Sequence, residues 1–164
     1  FLGDIPSENY DRMGFTKGLI EYIDNENAWL VGTDRGELFL FDNDGKQIWK
    51  RSLGIGKLVS MCVSHDEKIA FIGEQSPSGN LYAIDIAGGD ILWKFAAANV
   101  VGAEPAKRSY PSIVHICIDQ NDNVYANAYR FVTAKDGSRG YNGKAVAFNK
   151  NADFQSAVHD RFHC

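Results

Sequence analysis

The chain has little cysteine, little proline and no long apolar run. Its three cysteines, Cys62, Cys117 and Cys164, form an odd set, with no Cys-x-x-Cys pair and no Cys/His cluster at zinc spacing. A disulfide-rich scaffold and a structural zinc site are thereby excluded. No window approaches the roughly 18 apolar residues of a membrane-spanning helix. Positive charge is in short supply as well: 17 Lys and Arg against 21 Asp and Glu leave a net charge of -4. The basic residues are scattered, so the clustered cationic surface required by nucleic acid or an anionic membrane is missing. The opening residues, FLGDIPSENYDRMG, show no basic stretch followed by an apolar one, and no signal peptide is visible. Helical periodicity is missing too, because apolar residues nowhere recur convincingly at i, i+3, i+4 and i+7.

What is present is a folding composition, 45% hydrophobic and 12% aromatic over 164 residues, enough for a real core. It is organised as a repeat. GELFLFDNDGKQIWK from Gly36 and GNLYAIDIAGGDILWK from Gly79 share an initial Gly, an alternating run ending in Asp, a Gly turn and a closing Trp-Lys; GKAVAFN from Gly143 is a degenerate third copy. Before each copy lies a strand, a polar turn and a second strand: LIEYIDNENAWLVGT from Leu19, LVSMCVSHDEKIAFIG from Leu58 and IVHICIDQNDNVYANA from Ile113. Period-2 alternation bounded by Gly, Asn and Asp marks short antiparallel strands joined by tight turns. Four strands in about 40 residues, repeated in tandem, predict an all-β chain built of β-propeller blades. Three blades are expected, with a lead-in over 1–18, blade one over 19–57, blade two with a connecting loop over 58–112, and blade three with an insertion and tail over 113–164. The connecting segment AAANVVGAEPAKRSYPS and the insertion RFVTAKDGSRGYNG read as exposed loops, the usual seat of function.

Blade two resembles the pyrroloquinoline quinone (PQQ)-type β-propeller repeat, through Gly79, Leu81, Tyr82, Ala83, Asp85, Gly89 and Trp93. Blade one is similar through Gly36, Leu38, Phe39, Asp42, Gly45 and Trp49, whereas blade three has Asn149 in place of Asp and no Trp. The resemblance implies that Asp42, Gly45, Trp49, Asp85, Gly89 and Trp93 are structural docking residues, the Trp of one blade packing on the next. It also suggests an extracytoplasmic location. Closed propellers have about 4 to 8 blades, so three imply an incomplete propeller, completed by further blades, a second copy or another subunit.

Chemistry is sparse. The turns DNEN, SHDE and DQNDN carry clustered oxygens, and Asp119, Asn121 and Asn123 are the best cation candidates. Their equal placement in each repeat favours plain strand connections. Cys62 and Cys117 occupy one repeat position near the expected axis, where a bridge is conceivable and buried free thiols are the simpler expectation. Quinoprotein dehydrogenases of the family carry an adjacent Cys-Cys pair, which this chain lacks. His65, His115, His159 and His163 are too dispersed to define a triad or metal site, and Asp136 to Gly140 lacks the strand-turn-helix setting of a phosphate loop. No catalytic residue and no cofactor is expected. The leading expectation is a non-enzymatic propeller that binds or scaffolds a protein partner, with a homo-oligomer as one form of assembly. The alternative is a piece of a PQQ-dependent dehydrogenase whose catalytic residues, quinone and calcium lie in other blades.

Overall fold

The computed structural model describes residues 19–160 apart from 108 and 152, with backbone alone at 107 and over 154–160. Twelve strands follow in chain order among the described residues. Blade one is β1 (Leu19–Ile23), β2 (Ala28–Gly32), β3 (Glu37–Asp42) and β4 (Gln47–Ser52), in the order β1-β2-β3-β4. Blade two is β5 (Lys57–Val63), β6 (Ile69–Gln75), β7 (Asn80–Asp85) and β8 (Ile91–Ala96); blade three is β9 (Ser112–Ile118), β10 (Val124–Thr133), β11 (Arg139–Phe148) and β12 (Phe154–Asp160). Every pairing is antiparallel, and one bridge, Gln75 to Ser112, joins the sheets of blades two and three. The chain is thus an all-β, incomplete β-propeller of four-stranded blades. Among the described residues no helix is long and apolar enough to cross a membrane.

Alternation in the strands produces two cores, one at each blade boundary. We call a blade's front the face toward the next blade and its back the face toward the previous one. Ile23, Leu30, Leu38 and Leu40 on the front of blade one pack with Leu58, Ala70, Ile72, Tyr82 and Ile84 on the back of blade two. Phe71, Leu81 and Ala83 on the front of blade two pack with Ile113, Val124, Ala126, Val146 and Phe148 on the back of blade three. Each fully buried Leu, Ile or Phe contributes about 1.5–3 kcal/mol, so the blade boundaries hold the array together.

Both segments expected to be exposed loops are ordered differently. The connection after blade two forms a short helix, α1 (Ala98–Val101), whose Val101 is buried because it closes the second core. Arg130 Nε donates to Val101 O at 2.5 Å, Arg130 Nη1 reaches Glu104 Oε1 at 2.8 Å, and Asn142 Nδ2 donates to Val101 O at 2.9 Å. The insertion in blade three is a continuation of β10 and β11, paired as far as Thr133 with Arg139. Its residues alternate as a strand requires, and Tyr129, Phe131 and Tyr141 cluster with ring centroids 4.6 to 5.9 Å apart. Asp136 Oδ1 closes the tip by accepting the Ser138 N–H at 2.9 Å.

Candidate functional site

The blade boundaries are tied by a recurring polar contact. Trp49 Nε1 donates to Ile86 O at 2.9 Å, and Trp93 Nε1 donates to Lys150 O at 3.3 Å; each indole reaches the carbonyl just past the third strand of the following blade. The turns that receive them are shaped locally. Asp42 Oδ1 accepts the Asp44 and Lys46 N–H groups at 3.0 and 2.8 Å, and Asp85 Oδ2 accepts the Gly88 N–H at 2.7 Å. Gly45 and Gly89 follow at φ of 80° and 71°, a backbone region that disfavours a side chain. A Cβ on Gly89 would lie 3.0 Å from the Trp49 ring, so the turn and the indole of the neighbouring blade share one space. Arg51 adds bonds from Nε to Gly89 O at 2.7 Å and from Nη2 to Asp90 Oδ1 at 2.7 Å.

A second contact series runs along the first turn of each blade. Asn27, Glu67 and Asp122 all take positive φ, and each N–H closes an i to i+3 turn on Asp24, Ser64 and Asp119 O respectively. The turns are linked blade to blade: Asn25 N–H donates to Glu67 Oε2 at 2.8 Å, and His65 N–H donates to Asp122 Oδ1 at 3.1 Å. His65 Nδ1 lies 2.7 Å from the same Asp122 oxygen. Asp119, the best of the sequence-level cation candidates, has both oxygens engaged. Oδ2 accepts Asn123 Nδ2 at 2.8 Å and Tyr125 OH at 3.2 Å, while Oδ1 accepts the Asn121 and Asn123 N–H groups. The Asn123 side chain leads the causes that hold this carboxyl below its usual range. Among the described residues no three His, Cys, Asp or Glu side chains are grouped to hold a metal ion.

One buried carboxylate went unnoticed in the sequence. Glu74, 1% exposed, accepts Gly56 N–H at 3.1 Å through Oε1, and Asn80 Nδ2 at 2.8 Å and Tyr82 OH at 3.1 Å through Oε2. Tyr82 OH also lies 2.9 Å from Leu53 O, so the cluster clamps the linker between blades one and two. A Cβ on Gly54 would sit 2.4 Å from Glu74 Oε1, which leaves that position to glycine. Burial, with Glu74 beside it, pushes the Tyr82 hydroxyl up to about 12.

The thiols differ from the buried pair expected: Cys62 is half-buried, Cys117 is exposed, and both are free. Burial, seconded by Cys117, pushes the Cys62 thiol up. Cys117 is exposed because it lies on the front of blade three, which no described blade covers. His115 shares that front, His65 is in the turn series, the His159 side chain is not described, and His163 and Cys164 lie outside the described residues.

That front forms an open concavity with aromatic walls. His115, Cys117, Tyr125, Asn127, Tyr129 and Tyr141 line a cavity of about 540 Å³. Tyr125 is 44% and Tyr141 60% exposed. Pairing places Tyr125 opposite Cys117 as Phe71 is opposite Cys62, so Tyr125 stands where the fully buried Phe71 stands in blade two. The sequence signal was the run V-Y-A-N-A-Y from Val124, in which Val124, Ala126 and Ala128 are buried and the alternate residues make the opposite face. The other end of the array is also aromatic. The back of blade one carries Ile20 at 47% and Trp29 at 39% exposure, with Tyr22–Trp29 and Phe39–Phe41 centroids 4.8 and 5.5 Å apart.

Comparison with solved structures defines the class, a β-propeller. The β-propeller domain of Myceliophteria thermophila Cps50 (Swd1) superposes with a TM-score of 0.58 at 13% identity, over 85% of this chain and 39% of that one. Quinohemoprotein alcohol dehydrogenase from Comamonas testosteroni gives 0.58 at 14% identity, over 82% and 26%. Dihydro-heme d1 dehydrogenase NirN in complex with DHE gives 0.53 at 11%, over 88% and 37%. The chain therefore spans well under half the length of each. No protein-family model and no curated protein matches it.

Proposed function

We propose that this chain is a non-enzymatic binding module of the PQQ-like repeat kind, acting outside the cytoplasm, that holds a protein partner on the front of blade three. The observation that carries the reading is the 540 Å³ tyrosine-walled cavity on a sheet face whose counterpart in blade two is sealed. Tyrosine supplies large contact area at low conformational cost and a hydroxyl for adaptable hydrogen bonding, which is why it is enriched in protein interfaces. The family and the location rest on the Gly79–Trp93 motif alone; the Swd1 propeller supports the fold of such a module.

A photo-crosslinking residue at Tyr141, in the full chain expressed in its native host, tests the site. A discrete protein adduct, not formed from the same residue at exposed Lys94 on β8 of blade two, is expected. A folded chain that forms no adduct contradicts the reading. The second reading, a part of a PQQ-dependent dehydrogenase, is favoured by the likeness to the quinohemoprotein enzyme. Under it the quinone and calcium are held by blades beyond these residues, since the described side chains form no cation cluster. Quinone absorbance in the protein as isolated from its host, together with calcium-dependent stability, decides for that reading.

A further inference from the structure

The two open faces are the outer counterparts of one interface that the chain already contains twice, with the difference that blade three has no Trp to supply the indole donor. At each internal boundary a front with its indole donor meets a back with its acceptor carbonyl, and the direction never reverses. Trp49 of blade one reaches Ile86 O of blade two, and Trp93 of blade two reaches Lys150 O of blade three. The turn series has the same direction, from Asn25 to Glu67 and from His65 to Asp122. Counting from Asp42, Asp85 and Asn149, the residue after each is Asn43, Ile86 and Lys150, so blade one carries the receiving position with no described blade before it. Gln120 holds in blade three the place of Asn25 and His65, and among the described residues no fourth turn receives it.

We infer that the back of blade one in a second copy of this chain docks on the front of blade three, head to tail. This inference rests on the proposed use of the blade-three front and names its partner. Continuity with the internal boundaries is the argument. Phe39 and Phe41 flank Leu40 as Tyr82 and Ile84 flank Ala83, and those two are among the residues with which blade two fills the first core. Phe39 and Phe41 thus form the part of the blade-one back that matches the sealed surface of blade two. The exposed Ile20 and Trp29 widen it toward β1 and β2. A head-to-tail contact is heterologous: it closes into a ring if the rotation per blade allows, and extends into a chain of copies if it does not. The two copies bury aromatic surface on both sides, the type of residue that dominates interface energetics.

Sedimentation equilibrium of the full purified chain tests it. Wild type should associate with rising concentration. Trp29→Lys, on the back of blade one, and Tyr125→Lys, on the front of blade three, should each weaken association by about tenfold or more. The two variants mixed should form a heterodimer, because each retains the half that the other has lost. Ile20→Lys and Tyr141→Lys provide an independent pair at more exposed positions should either first variant fold poorly. A wild type that stays monomeric at every concentration overturns the inference, as does a mixture that never associates while the wild type does. If the wild type is monomeric yet Tyr141 cross-links to a different protein, the proposed binding site stands and only the self-docking falls.

Discussion

At the scale of the residue, the decisive side chains are those shared between neighbouring blades. Trp49→Ala removes a half-buried indole and its bond to Ile86 O, and should cost about 3 kcal/mol in urea unfolding. Trp93→Ala should cost less, because its 3.3 Å bond is longer and lies at an exposed site. Gly89→Ala places a methyl against the Trp49 ring at positive φ and should destabilise by about 1–2 kcal/mol. The double variant Gly89→Ala/Trp49→Ala should be less unstable than the sum, since removing the ring relieves the crowding. Additive costs would show that the turn and the indole do not compete for space. Tyr82 gives a pH signature. Its hydroxyl ionises near 10.0 when unfolded and is raised to about 12 in the fold. The stability it contributes is therefore whole below pH 10 and is lost as pH rises from 10 through 12. Tyr82→Phe should flatten that alkaline loss in thermal unfolding, and an unchanged slope would remove Tyr82 as its cause.

At the scale of the element, linkers and hairpins behave differently from what their composition suggests. Gly54 and Gly56 lie in the linker between blades one and two, where Glu74 fills the space beside them and fixes the chain. Glu74→Gln would oppose an amide N–H₂ to donors already present, and should cost about 1–3 kcal/mol in chemical denaturation. A neutral result would show that the carboxylate is not needed to hold the linker. Glu74 was not legible because a lone Glu in EQSPSGN reads as solvated; only the fold brings Gly56, Asn80 and Tyr82 around it. The hairpin arm of blade three was missed for a related reason. Gly, Ser and charge at 135–140 signalled a loop, while the alternation of Tyr129, Phe131 and Tyr141 across it, which makes it a strand pair, spans the interruption. The strands themselves were legible, since Leu38 and Leu40, or Val124 and Ala126, alternate with residues of the other face.

At the scale of the whole molecule, three blades leave two faces that nothing described covers, while blade two is sealed on both. Repetition made this arrangement readable, since a motif that recurs names the boundary at which it acts. It could not reveal that the last front is tyrosine-rich, because blade three departs from the motif. If the front of blade three serves an interface, Tyr125→Ala and Tyr141→Ala should leave the melting temperature of the isolated chain within a few degrees of wild type. A large drop in calorimetry would instead make those rings part of the core. The central claim, an array of blades whose end faces no described blade covers, is tested most directly by amide hydrogen exchange of the isolated chain at low concentration. The account predicts the slowest exchange in β6 and β7 of blade two, which are covered on both faces, and faster exchange in β2, β3 and β10. Equal protection across the three blades would contradict it, because the end faces would then be covered within the chain itself.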